Sequence, residues 1–416
     1  MTWDPGARPA WVQHAINGEG GPIYAIARQP LIVDELLAEA ELTTGLSDWG
    51  PDDFREPLDV FIAAIEAEAN LHPAGRLRLR GEVMHALENR LRHYRYLADN
   101  PTVLNERIVA PIIVTGSPRA GTSMMHELIA LLPNMRAPVT WEYWWPTPFT
   151  NHRGGRDPRI ELANADVRLL AELSVAMDGI HTYGGLQLRE DPSAMLPTFR
   201  ADPLWTYSRV PSYDRWIQAN GLRPGYEYHR QVLQILQHQA QDNRTWVIKA
   251  PSHLGYLELM LELYPDARIV VCHRDPMAMI SSVSSLIATL RWSSAEGVDF
   301  KEVARESMDQ FGRNLDAVLD MRKRGVLTDD RCIDVTFDRF TGDQAGAVKA
   351  IAERFGIPFP AATEQALADH LAAKPRGRHG GHAHSVDALG MDIAAERARF
   401  ADYMTYFHVR PEEAGD

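Results

Sequence analysis

Four short apolar segments constrain this chain more than any other feature: APIIVTG from Ala110, TWVIKA from Thr245, ARIVVCH from Ala267 and CIDVTF from Cys332. Each is a continuous apolar run rather than an alternating one, which is the pattern of strands covered on both faces in a parallel sheet. Each is followed by helical spacing. Met125, Leu128, Ile129 and Leu132 fall at i, i+3, i+4 and i+7 after the first strand, and Pro276, Ile280, Val283, Ile287 and Leu290 form a comparable stripe after the third. Strands alternating with helices require right-handed crossovers, so the sequence predicts a three-layer α/β sandwich around a central parallel sheet. Ligands of such sheets bind beyond the carboxyl ends of the strands.

The rest of the chain is placed around that core. Residues 1–105 read as helical throughout, in LIVDELLAEAEL, PLDVFIAAIEAEANL and the stretch from Gly75 to Leu97, and are expected to form a helical layer packed on the remainder, 106–416. Between the first two strands, residues 145–240 carry WWPTPF, LWTYSRVPSYDRW and GYEYHRQVLQILQHQ. That is too long for a simple crossover. It is expected to be a mostly helical insertion over the ligand edge of the sheet, where it shapes a substrate pocket.

Composition excludes several classes. With 45% hydrophobic and 24% charged residues and ten tryptophans the 416-residue chain is globular, not disordered. A net charge of −13 argues against nucleic acid or an anionic membrane surface as partner. The N-terminus lacks a basic segment followed by an apolar one, and no uncharged apolar run reaches the roughly 18 residues of a membrane span, so a cytoplasmic location is expected. Cys272 and Cys332 lie inside predicted strands and read as structural thiols, too few for a disulfide framework. No pattern specifies an oligomeric state.

The chemistry gathers at the strand ends. The first strand runs into TGSPRAGTSMMHEL, so a tight loop from Ser117 through Pro118, Arg119, Ala120, Gly121 and Thr122 to Ser123 leads into a helix N-terminus. Backbone N–H groups in such a loop converge on an anion, and the helix dipole adds to the attraction. Against the triphosphate pattern G-x-x-x-x-G-K-[ST], Thr122 replaces the lysine and Arg119 lies within the loop, which disfavours a nucleoside triphosphate. At the end of a second strand, CHRDP presents Arg274, whose planar fork suits a phosphate, with Ser282 about two helical turns on. WVIKAPSHL sets Lys249 just past a third strand end, with His253 following. The lysine can neutralise charge in a transferring group and the histidine can accept a proton, or else simply pack beside a helix start.

Taken in order, TGSPRAGTS, TWE and WVIKAPSHLGYLELMLELYPDARIVVCHRDP with Ser282 resemble the sulfotransferase superfamily, in particular its bacterial branch that is itself similar to tyrosylprotein sulfotransferases. The resemblance runs over residues 100–400. It implies 3′-phosphoadenosine 5′-phosphosulfate as donor, with the Ser117–Ser123 loop on the 5′-phosphosulfate, Arg274 and Ser282 on the 3′-phosphate, and Arg119 and Lys249 on the transferring oxygens. Two residues match proton acceptors of the family: Glu142 in VTWEYWW, the preferred one, and His253, whose spacing from Lys249 departs from the family pattern. The late G-R-H segment implies that Arg378 closes over the donor as a phosphate contact, although His384 stands where relatives carry an aromatic residue. The histidines of RGRHGGHAHSVDALG lack cysteine or regular carboxylate partners, and no metal is expected.

The expected reaction is transfer of a sulfuryl group to a hydroxyl, or an amine, of a small-molecule or lipid-linked acceptor. The aromatic insertion suggests a glycolipid, sterol or phenol. Two rivals remain at this point, a phosphotransferase of the kinase type and a noncatalytic nucleotide-binding protein. The missing loop lysine, and the lack of an apolar strand ending in a magnesium-binding aspartate, argue against the kinase.

Overall fold

A computed structural model of the chain describes residues 3–19, 21–149, 156–173, 184–374 and 386–412. Its centre is a five-stranded parallel sheet in the order β2-β3-β1-β4-β5. The strands are β1 (Ile112–Gly116), β2 (Met135–Arg136), β3 (Thr245–Lys249), β4 (Arg268–His273) and β5 (Cys332–Thr336). Four are the segments expected from their apolar runs. The fifth, β2, is a two-residue edge strand pairing Met135 with Thr245 and Arg136 with Trp246, too short to leave a pattern of its own.

Each central strand is buried on both sides because its residues serve two cores. In β1, Ile112 and Val114 join one cluster with Val247, Val270 and the helix Thr122–Ile129. Ile113 points the other way, into a larger cluster with Ile248, Ile269 and Val271. That second cluster also takes in Leu58, Phe61, Leu87 and Leu91 from helices Arg55–Glu68 and Pro73–Asp99, and Phe199, Tyr213 and Val232 from the insertion. The amino-terminal helices, the insertion and one sheet face therefore share a single interior, which is the three-layer arrangement expected from alternating strands and helices. The insertion is built mainly of helices, among them Pro158–Leu173, Asp202–Tyr207, Pro211–Asn220 and Arg223–Ala240. After β3 the chain makes a 3₁₀ turn, Pro251–Tyr256, before the helix Leu257–Leu263, so the helix expected after this strand begins one tight turn later.

The strand order decides where a ligand can sit. The chain leaves the end of β1 toward β2 and β3 and leaves the end of β4 toward β5, so the adjacent strands β1 and β4 have connections diverging to opposite sides. Such a switch point opens a crevice at the carboxyl ends of the two strands. The two edges of that crevice are tied together, since the Ser117 N–H donates to the Cys272 carbonyl across 3.0 Å. Gly116 is required there. Its φ is 138°, and a Cβ would lie 2.0 Å from the Cys272 carbonyl oxygen.

Candidate active site

A cavity of about 500 Å³ opens at this switch point. Its floor is the loop after β1, with Pro118, Arg119, Gly121, Thr122 and Ser123, joined by Arg274 from the end of β4. The loop turns by placing Arg119 at φ 64° and Gly121 at φ 83°, and closes with Ala120 N–H donating to the Ser117 carbonyl at 3.1 Å. The helix Thr122–Ile129 starts immediately after it, so its first N–H groups face the cavity side of the loop.

Two guanidinium groups meet at one end. Arg119 Nε donates to Ser282 Oγ at 3.3 Å, and Arg274 Nη1 donates to the Arg119 carbonyl at 2.8 Å. Ser282 is carried by the helix Pro276–Trp292, which Asp275 caps by accepting from Met277 N–H at 2.8 Å. The remaining fork of Arg274 is filled by Glu412, whose two oxygens accept from Nε and Nη2 at 2.7 and 2.6 Å. Desolvation first, and then the charge of Arg274, pull the Arg119 guanidinium below its ordinary pKa. Like charges held this close favour an anion between them.

Lys249 marks the other end. Its side chain is almost fully buried, and Nζ donates to Ser123 Oγ at 3.1 Å and to Glu190 Oε1 at 2.5 Å. The backbone beside it is fixed by Asp191, which is wholly buried and accepts from Lys249 N–H, 3.2 Å away, and from the Tyr143 hydroxyl, 2.8 Å away. In return Asp191 N–H donates to the Lys249 carbonyl at 3.1 Å. Burial raises the Asp191 carboxyl, but the neighbouring His229, His253 and Tyr143 outweigh it and hold the group below the usual carboxylate range.

The two residues matched to proton acceptors are placed elsewhere. Glu142 is 7% exposed and does not line the cavity. One oxygen pairs with Arg136 Nη2 at 2.5 Å and the other accepts from Val139 N–H at 3.0 Å, capping the short helix Thr140–Trp144. The pair forms because Arg136, only six residues earlier at the end of β2, comes within reach of the carboxylate. His253 is fully buried. Its Nε2 lies 2.8 Å from Asp191 Oδ2 and its Nδ1 lies 2.9 Å from the Tyr226 hydroxyl, so both ring nitrogens are engaged away from the cavity. A carboxylate only accepts, which makes Nε2 the protonated nitrogen.

Arg119 also differs from expectation, since its guanidinium lies with Ser282 rather than with Lys249. Arg378 and the histidine tract around it lie outside the described residues.

Two carboxylates in the cavity carry no recognisable motif. Glu190 is delivered by pairing of the segment 187–189 with 138–140: Arg189 N–H donates to the Pro138 carbonyl at 3.0 Å, and Thr140 N–H to the Gln187 carbonyl at 2.8 Å. Asp202 begins the helix Asp202–Tyr207, and burial pushes its carboxyl up to about 6. Much of the remaining wall is apolar, with Trp205, Val283, Leu286, Ile287, Leu290 and Phe311.

The arrangement thus offers two cationic ends on a strand-end crevice, a loop of backbone donors, carboxylates and an apolar wall. The sequence matches the sulfotransferase family over residues 111–361. The chain belongs to the sulfotransferase family. This sulfotransferase is 27% identical to the solved sulfotransferase STF1 of Mycobacterium tuberculosis H37Rv, with a TM-score of 0.76 over 89% of this chain and 99% of that one. It is equally similar to sulfotransferase STF9 of Mycobacterium avium, at 27% identity and a TM-score of 0.78 over 91% and 97% of the two chains. Among curated proteins it matches the omega-hydroxy-beta-dihydromenaquinone-9 sulfotransferase Stf3 of M. tuberculosis, 23% identical over 283 residues, or 64% of this chain and 69% of the relative. It is accordingly an enzyme that uses 3′-phosphoadenosine 5′-phosphosulfate, and the kinase and scaffold readings are not favoured. No helix among the described residues is long and apolar enough to cross a membrane.

Proposed function

We propose that this sulfotransferase moves the sulfuryl group to the hydroxyl of an elongated, largely apolar acceptor, with the donor lying along the loop between Arg274 and Lys249. The observation that carries this reading is the division of one cavity into a cationic floor and an apolar wall. The residues fit the donor. Arg274 already binds a carboxylate with its fork, the geometry a 3′-phosphate would use, and Ser282 and Arg119 lie beside it. At the 5′ end the loop amides, Ser123 and Lys249 supply donors where negative charge develops as the sulfuryl group leaves. Positioning and fixed electrostatics then account for most of the rate, as in phosphoryl transfer.

The acceptor's shape follows from the walls. The cavity shares Arg189, Ser193 and Tyr207 with a smaller apolar pocket of about 60 Å³ lined by Leu79, Val83, Trp144, Leu196 and Phe199. An apolar tail crossing the main cavity would continue into it. The name of the curated relative, which refers to a hydroxylated menaquinone, agrees with a lipid alcohol as acceptor.

Incubating the protein with sulfur-labelled donor and a lipid extract of its own cells tests the proposal. The expected result is label in an acidic species that partitions with lipids and is identified by mass. Label found only in water-soluble products would overturn the lipid acceptor, and calorimetry showing unchanged 3′,5′-bisphosphate affinity in Arg274→Ala would overturn the donor placement.

A further inference from the structure

We infer that Glu190 is the catalytic residue that takes the acceptor's proton, and that it holds Lys249 until the donor arrives. The inference rests on the donor placement proposed above. Its ground is a contact between a carboxylate that lines the cavity and a buried lysine behind it: Glu190 Oε1 sits 2.5 Å from Lys249 Nζ, the ammonium that also touches the loop through Ser123. The Glu190 side chain is 43% exposed to the cavity, whereas that of Lys249 is 3% exposed. One member of the pair thus lines the cavity and the other is fixed against the loop.

Two of the alternatives are enclosed away from the cavity. Glu142 is enclosed with Arg136 and the Val139 N–H, and His253 is enclosed with Asp191 and Tyr226. Asp202 also lines the cavity, where it accepts hydrogen bonds from Ser252 and Trp205. Glu190 is the carboxylate that contacts the lysine at the sulfuryl end. Its position is also over-determined, because Arg189 before it pairs with Pro138 and Asp191 after it is locked to the backbone of Lys249 on both sides. A carboxylate on so fixed a segment meets the geometric demand on a general base.

The step balances as follows. The acceptor oxygen forms a bond to sulfur as the bond from sulfur to the 5′-phosphate oxygen breaks, and that electron pair leaves on the bisphosphate. Lys249 exchanges Glu190 for the departing oxygen. The acceptor's proton passes to Glu190 and then to water.

Glu190→Gln separates the idea from its rivals. With labelled donor and the same lipid extract, single-turnover transfer should fall about 100-fold or more, the contribution typical of a positioned base. Affinity for the 3′,5′-bisphosphate should not fall, and freeing Lys249 should raise it by up to about fivefold, which also reports an intact fold. The wild-type rate should fall on acidification along a limb that Glu190→Gln lacks and Glu190→Asp keeps at a lower rate. Transfer by Glu190→Gln within about fivefold of wild type, or loss of the acid limb in Asp202→Asn instead, would overturn the assignment. Loss of bisphosphate binding in Arg274→Ala with an unchanged Glu190 phenotype, or the reverse, tells a failure of the base from a failure of the donor placement.

Discussion

Glu412 grips Arg274 with both carboxylate oxygens, at 2.7 and 2.6 Å, while its own N–H donates to Asp275 at 2.7 Å. A carboxyl-terminal segment therefore presents to the arginine of the switch point the same pair of acceptors that a phosphate would. Any anion bound by that fork must first displace it.

Glu412→Gln should consequently tighten binding of 3′,5′-bisphosphate. The competing ion pair is partly exposed, with side chains 10% and 20% accessible. Such a pair contributes on the order of 1 kcal/mol, which corresponds to a gain of roughly fivefold in affinity. Titration calorimetry at low salt reads the change directly, and the gain should shrink as salt screens the pair. Equal affinity of the two proteins would show that Glu412 leaves the fork at no cost.

The site was legible in the sequence where a local pattern carries it. The loop from Ser117 to Ser123 follows a strand whose apolar run demands burial, and Arg274 stands just before the helix whose second turn carries Ser282. Glu190 was not legible, because what brings it to Lys249 is pairing between 138–140 and 187–189, a contact across a long insertion with no periodicity to betray it. Glu142 shows the converse. Its motif is local and conspicuous, yet its partner Arg136 sits on an edge strand of two residues that no pattern announces. The setting of His253 depends on Asp191, 62 positions earlier, and spacing from Lys249 could not supply that.

Asp202 ties the cavity to pH. Burial is the main cause of its carboxyl rising from the ordinary 3.8 to about 6, and the charge of Glu190 adds to it. A raised carboxyl favours the protonated form in the folded state. Folding therefore gains no penalty from this group below its unfolded value, loses stability as pH climbs from there to about 6, and carries a constant cost above. Asp202→Asn removes that cost, at most about 3 kcal/mol from the size of the shift. The difference in thermal midpoint between variant and wild type should grow over that pH range and level off above it; a difference independent of pH would place the cost elsewhere.

Asp191 carries the opposite sign. It is wholly buried, yet His253 Nε2, the Tyr143 hydroxyl and the Lys249 N–H all converge on it, and the net effect holds its carboxyl below the usual range. Its stabilisation is complete above the unfolded carboxylate value and is lost as pH falls through the lower folded one. Asp191→Asn leaves an amide facing donors on several sides, so unfolding free energy at neutral pH should drop by about 3 kcal/mol, the cost of breaking a buried charged network. Because the same carboxylate fixes the backbone between Glu190 and Lys249, transfer should fall along with stability, while 3′,5′-bisphosphate binding at Arg274 persists. Denaturant unfolding at neutral pH and below about pH 4 checks the sign, since the gap between the two proteins should narrow in acid. A gap that widened in acid would mean that Asp191 is protonated in the folded protein and that the hub is held by neutral hydrogen bonds alone.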